Sequence, residues 1–354
     1  MASSIPIAST RARTLLDSRV TAAQELLAER VAALRTGEDW QRFLAFQAKL
    51  HQYSPNNVLL IHFQHAQAHA GGLVGAPEPT YVAGFQTWKA LGRSVLKGQT
   101  GYAILAPLVG HHRVAVDVAG QDRRLAIGEQ AAPDEAEERR RQLRGFRISH
   151  VFDVSQTTGE AIPEPTRPQL LRGEAPVGLG AAVLTLIEDR GLSVSTVAGG
   201  QAIGGANGQT NWADRTVVVR EDMDDAAMVK TLLHEAAHVL LHEGPPGRFL
   251  PRPLKEVEAE SVAFVVASAH GMATDDYSFP YVAGWAGDDP VAAIQATQRR
   301  VAGAARAILE ASPAEHGSGG KVPGADLATG RSRALQVHRT PDPGGAPAVE
   351  AVEL

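Results

Sequence analysis

The stretch His234-Glu235-Ala236-Ala237-His238 has residue types and spacing that point directly to chemistry. Two histidines four apart in a helix emerge on one face, with Cβ atoms about 5–6 Å apart. Both imidazoles can then reach one tetrahedral ion through bonds of about 2 Å. Glu235 is too close to the first histidine to serve as a third tetrahedral ligand from the same helix. It can instead face a water molecule whose pKa zinc lowers from about 15.7 to about 7, and act as general base. The pattern implies zinc-assisted hydrolysis with Glu235 as the catalytic residue.

A catalytic zinc keeps three protein ligands and one open position, so a further ligand is required. The extended form of the motif needs glycine at position 241 and histidine at 244. The chain has Leu241 and Gly244, which excludes that form. His242 lies a further four residues along the same helix, too far along and around the axis, and reads as a helix-end residue near the C-terminal dipole. The next helical segment offers Glu256, Glu258 and Glu260. Glu256 and Glu260 share a face, while Glu258 is rotated about 200° from Glu256. This favours Glu256 as the metal ligand and Glu260 as hydrogen-bond acceptor for a ligand histidine. Glu258 is expected to be exposed, although Glu258 and Glu260 stay open as alternative ligands.

These residues need helices to carry them. Asp224 or Asp225 can cap a helix running to about Leu241, stopped by Gly244 and Pro245-Pro246. Pro253 to His270 reads as a second helix, and Pro290 to Ala311 as a third with Asp289 as its N-cap. Ala181 to Arg190 is helical, and Leu192–Val197 and Thr216–Val219 are β-prone. The glycine-rich Gly199–Gly208 lacks a phosphate-loop signature and reads as a hairpin loop.

Earlier in the chain, Thr21–Leu34 and Asp39–Leu50 have helical apolar spacing, and Ser54-Pro55 opens another helix. Phe85–Leu91 reads as a helix stopped by Gly92. Ser94-Val95, Tyr102–Leu105, Val114–Val118 and Phe146–Val154 read as strands. The charge run Asp134–Arg144 is expected to be a solvated helix or loop face with Glu-to-Arg pairs at i,i+4. Thr158–Pro176, with four prolines and two glycines, reads as a linker, and the segment from Ser312 as a disordered tail.

Among 354 residues there is no cysteine, which excludes disulfides, thiolate zinc and iron–sulfur clusters and confines any metal to His, Asp and Glu. Met1–Leu16 does not read as a secretory signal, and no run of about 18 apolar residues suggests a membrane span, so a cytoplasmic protein is expected. Residues 1–150 carry 18 Lys/Arg against 13 Asp/Glu, and residues 151–354 carry 16 against 26. The basic front half leaves room for an anionic partner such as nucleic acid.

Leu232-Leu233-His234-Glu235-Ala236-Ala237-His238 followed by Glu256-Val257-Glu258-Ala259-Glu260 resembles the zinc domain of ArdC-type antirestriction proteins and the related ImmA/IrrE metallopeptidases. The front half resembles the ArdC single-stranded-DNA-binding domain. It does so through Tyr53-Ser54-x-x-Asn57-x-Leu59-Leu60, Thr87-Trp88-Lys89-Ala90-Leu91-Gly92-x-x-Val95-x-Lys97-Gly98-x-x-Gly101 and Phe152-Asp153-Val154-Ser155-Gln156. The resemblance covers about residues 15–310, with departures at Pro55-Asn56 and in the insertion Val109–Arg144. It implies an α+β fold: an N-terminal nucleic-acid-binding-like domain over 15–156, a linker over 157–176, a mostly helical zincin-like domain with a small sheet over 177–311, and the tail 312–354. It places the third zinc ligand on Glu256 and Glu260 beside it. It implies a zinc metallo-endopeptidase acting on protein or peptide. The alternative is an antirestriction-type protein that binds and protects single-stranded DNA, with zinc structural or regulatory. For a DNA surface, Lys89, Arg93 and Lys97 would track phosphates if the helix continues, and Tyr53 or Trp88 would stack on bases. The competing reading places both aromatics in the core.

Overall fold

Side chains set the ends of the first helices. The computed structural model describes residues 7–126, 128–162, 173–275, 277, 279, 289–314 and 316. Helix α1 spans Ile7–Ala32, α2 Gly37–Lys49 and α3 Pro55–Ala70. Thr36 and Asp39 form a reciprocal capping box at the start of α2, with bonds of 3.1 and 3.0 Å. Ser54 caps α3 and Pro55 occupies its first turn, as the sequence indicates.

After α3 the chain turns to strands: β1 (Val82–Gly84), helix α4 (Phe85–Ala90), β2 (Arg93–Val95), β3 (Tyr102–Val116), β4 (Asp122–Arg124), β5 (Ala136–Asp153) and β6 (Thr157–Gly159). One antiparallel sheet has the order β1-β5-β3-β4, and β2 pairs separately with β6. Three sequence expectations are corrected here. Tyr102–Leu105 and Val114–Val116 are not separate strands but parts of the continuous β3, which ends before Asp117-Val118. The start of the expected linker, Thr157–Gly159, is strand β6. Most of the charge run Asp134–Arg144 is strand β5 rather than helix or loop, paired with β3 from Val116↔Ala136 onward with a register shift at Leu108/Val109. Its charges pair across strands, Arg113 with Glu137 and Arg140 with Asp122. Residues 136–144 are mostly exposed, so this stretch needs no apolar alternation to be a strand.

Two amides of α3 complete the inner part of β3. Asn57 accepts from the Leu105 N–H at 2.9 Å and donates to the Leu105 carbonyl at 3.1 Å. Gln64 does the same for Ala103, at 2.8 and 3.0 Å. The backbone groups that β5 leaves unpaired are thus satisfied by a helix acting as a neighbouring strand.

The second half holds α5 (Leu179–Glu188), β7 (Ser193–Val197), β8 (Gly208–Asn211), β9 (Thr216–Arg220), α6 (Asp225–His242), α7 (Arg252–Ala269) and α8 (Pro290–Ala311). Asp224 and Asp289 cap α6 and α8. In the three-stranded sheet β7 runs parallel to central β9, and β8 is an antiparallel edge. Helix α7 is apolar around most of its circumference, which requires partners on several sides. It packs against α6, α8 and α2, and the indole of Trp40 donates to Ser261 Oγ at 2.8 Å. One apolar core therefore runs from α1–α3 into α5–α8. The fold is α+β. Among the described residues no helix is long and apolar enough to cross a membrane. The expected disordered tail lies almost wholly outside the described residues.

Candidate metal centre

Helix α6 crosses the centre of the second half with Leu233, Ala236 and Ala237 fully buried. That burial turns His234 and His238 toward α7. There the Oε2 of Glu256 lies 3.5 Å from His234 Nε2 and 3.7 Å from His238 Nε2, and the two Nε2 atoms are 3.2 Å apart. Three ligands bound at about 2.1 Å around a tetrahedral ion are separated by roughly 3.4 Å. The observed edges bracket that value, so the donor set fits a divalent cation. Among the described residues, these three form the group whose donor atoms converge closely enough to hold a metal.

Electrostatics point the same way. Burial pulls the His234 pKa down, but bonds to Glu256 and Glu260 outweigh it and raise the group to about 9. The two histidines hold the Glu256 carboxyl far below the usual range. The pocket favours positive charge beside an ionised carboxylate.

The other two glutamates separate cleanly. Glu260 accepts from His234 Nδ1 at 3.0 Å, where the sequence places such an acceptor. Glu258 is not the exposed residue the sequence suggests. Its side chain is 0% exposed, bonded to Arg300 from α8 and to His242 Nε2 at 3.1 Å. His242 is the last residue of α6, the helix-end position the sequence gives it. It is buried, and its Nδ1 lies 2.9 Å from His238 Nδ1.

Glu235 is buried at the edge of the cleft, where Thr210 Oγ1 of β8 donates to its Oε2 at 2.6 Å. Gly208, also on β8, lies so close that a Cβ there would sit 2.9 Å from Glu235 Oε1 and 2.7 Å from Thr231 Cγ2. The cleft contains the three donors, Glu235, Glu260 and the start of β8. Sequence reasoning missed Thr210, Gly208 and Arg300. The first two belong to a short polar strand with no apolar pattern, and Arg300 lies 42 residues from its partner Glu258.

The residues expected to meet DNA do not form one surface. Trp88 is 0% exposed and its indole donates to the Phe152 carbonyl at 3.0 Å. Tyr53 donates to the Val82 carbonyl at 2.7 Å, and burial pushes its phenol pKa upward. Both are packing residues, so base stacking by them is corrected. Helix α4 ends at Ala90, and Gly92 takes φ 73°, so Lys89, Arg93 and Lys97 do not lie along a continuing helix. Arg93 instead binds Thr157 Oγ1 at 2.8 Å and the Thr157 carbonyl at 3.0 Å, tying β2 to β6. Lys89 and Lys97 are exposed. So is Phe85, one turn before Lys89 and 50% accessible, which the sequence reading did not single out. Phe152–Gln156 is structural: buried Asp153 binds the Thr80 N–H at 2.7 Å and the Ser155 N–H at 2.9 Å, and Gln156 binds the Thr100 carbonyl.

Comparison with known proteins bears on this front half. Residues 21–152 match the family described as the N-terminal domain of anti-restriction factor ArdC. An uncharacterised protein of Bacillus anthracis is 25% identical over 271 residues, covering 70% of this chain and 43% of the relative. The chain thus spans less than half the length of that relative. Among solved structures, the metal-free crystal structure of the antirestriction ArdC protein from plasmid R388 aligns with TM-score 0.42 and 18% identity, covering 73% of this chain and 85% of that one. Its Mn(II)-bound form aligns with TM-score 0.38 and 18% identity, covering 79% and 89%. The chain is ArdC-like, carrying over residues 21–152 a domain of the family described as the N-terminal domain of anti-restriction factor ArdC.

Proposed function

We propose that this chain is a zinc-dependent metallo-endopeptidase with a single-stranded-DNA-binding N-terminal domain. The observation that carries the enzymatic reading is the convergence of His234, His238 and Glu256 on one point, beside a Glu235 carboxylate held by Thr210. Two imidazoles and one carboxylate suit zinc among the common divalent cations. A cation held there would supply Lewis acidity to a peptide carbonyl and to water. Glu235 takes the proton of the attacking water and delivers it to the leaving amide nitrogen. The Thr210 hydroxyl fixes the carboxylate for that exchange, and Glu260 fixes the His234 ring. Edge strand β8 opens onto the same cleft, so an extended peptide could pair with it and bring its backbone to the donors.

The test is cleavage of unstructured protein substrates by the purified full chain and by Glu235→Ala, both loaded with zinc. The reading expects activity in the first and a loss of several orders of magnitude in the second. Equal activity in both removes Glu235 from the mechanism.

A second reading is favoured by the match over residues 21–152: an antirestriction-type protein that binds and protects single-stranded DNA, with the cation structural or regulatory. Exposed Lys89, Lys97 and Phe85 are the groups for phosphate and base contact. This reading expects salt-dependent binding of single-stranded DNA that survives Glu235→Ala. Absent or salt-insensitive binding rejects it.

A further inference from the structure

The two ligand histidines are held differently. His234 Nδ1 meets the carboxylate of Glu260 directly, at the rim of the cleft where that side chain is 35% exposed. Among the described residues, His238 Nδ1 meets no carboxylate. It faces His242 Nδ1 at 2.9 Å, and His242 Nε2 faces Glu258 Oε2 at 3.1 Å. The other oxygen of Glu258 receives Arg300 Nε at 2.7 Å and also its Nη2. The side chains of His242 and Glu258 are 1% and 0% exposed, so these two groups have no solvent alternative.

Hydrogen-bond polarity then determines every proton in the chain. If His238 binds the cation through Nε2, the nitrogen facing His234 and Glu256, its Nδ1 must carry hydrogen and donate. His242 Nδ1 must therefore be a lone-pair acceptor, which places the His242 proton on Nε2. That N–H donates to Glu258 Oε2, an ionised acceptor balanced by the guanidinium of Arg300. Each donor meets an acceptor, and only one tautomer of each ring satisfies the set. With a proton on His242 Nδ1, two N–H groups would oppose each other at 2.9 Å.

We propose that His242, Glu258 and Arg300 form a buried positioning relay that fixes the His238 ring and tautomer for coordination through Nε2. The inference rests on reading His234, His238 and Glu256 as a metal centre. It assigns roles to three residues outside the ligand set, drawn from α6, α7 and α8. The arrangement couples the packing of α8 to the geometry of the centre, because Arg300 is the anchor of the relay.

The experiment uses the full chain with ¹⁵N-labelled histidine and Zn²⁺. Ring correlation spectra are expected to show His238 with zinc on Nε2 and hydrogen on Nδ1, and His242 with hydrogen on Nε2 and a bare Nδ1. Hydrogen on His242 Nδ1, or zinc on His238 Nδ1, overturns the relay. Zn²⁺ affinity by chelator competition supplies the second readout. His242→Phe is expected to weaken binding about 10–100-fold. His242→Asn, whose amide oxygen can stand where Nδ1 stood, is expected to recover most of that loss. Unchanged affinity in His242→Phe, or an equal loss in both variants, overturns the proposal. If the variants fail to fold, the wild-type spectrum decides alone. If the wild type binds no Zn²⁺ at all, the metal-centre reading itself fails, which separates the two failures.

Discussion

Removing Arg300 should destabilise the protein more than removing its partner Glu258, and the difference follows from where each charge is left. Glu258 is 0% exposed and Arg300 is 23% exposed, with a bonded contact through two guanidinium nitrogens. In Arg300→Met the carboxylate stays buried without its counter-charge, with only His242 Nε2 to bond it. Breaking a buried pair this way costs about 3–5 kcal/mol. In Glu258→Gln the amide retains one acceptor oxygen for His242 or Arg300, and the guanidinium can turn part of its surface to water. The expected cost lies at or below the lower limit of that range, about 2–3 kcal/mol. The double variant Glu258→Leu/Arg300→Met removes both charges and should be less destabilised than Arg300→Met alone. Urea unfolding of metal-free protein, with midpoints and slopes compared, measures all three. Equal stabilities within about 0.5 kcal/mol, or the reverse order, would refute the claim that the pair is buried and coupled.

Other consequences are independent of this pair. Gly208→Ala should cut the proposed peptidase activity at least tenfold by displacing Glu235, because its Cβ would meet Oε1 at 2.9 Å; the added methyl should also cost about 1–3 kcal/mol in unfolding experiments. Asn57→Ala should cost about 2–4 kcal/mol in the same assay, because the Leu105 N–H and carbonyl lose both bonds. Burial lowers the pKa of His62 and of His270 to about 4. Their folded values lie below the unfolded value of about 6.5, so the unfolded chain takes up protons first. Their contribution is complete above about pH 6.5 and is lost as pH falls toward 4. Denaturation midpoints between pH 7.5 and 4.5 should fall, and fall less steeply in His270→Asn.

Much of the site was legible because it obeys helical geometry. The cap at Asp224, the His234–His238 spacing and the shared face of Glu256 and Glu260 are local regularities, and each is found where helical periodicity puts it. Glu258 was misjudged: it shares its face of α7 with buried Leu254, Val262 and Val265, but an acidic residue is buried there only because a partner neutralises it. Its partner Arg300 belongs to another helix, and only tertiary packing brings them together. The run from Ala136 to Arg144 was misjudged for the opposite reason. A strand that is mostly exposed along this stretch lacks hydrophobic alternation, and its charge order imitates helical ion pairs. Trp88 shows that an aromatic beside lysine is not thereby a stacking platform, since it and Tyr53 both hydrogen-bond the backbone of neighbouring strands from within the fold.

The central claim is a cation held by His234, His238 and Glu256. Metal analysis of the purified full chain beside His238→Ala and Glu256→Ala tests it most directly, with folding of each checked by circular dichroism. The account predicts about one zinc per wild-type chain and its loss from both variants on dialysis. Full retention in both folded variants would contradict it.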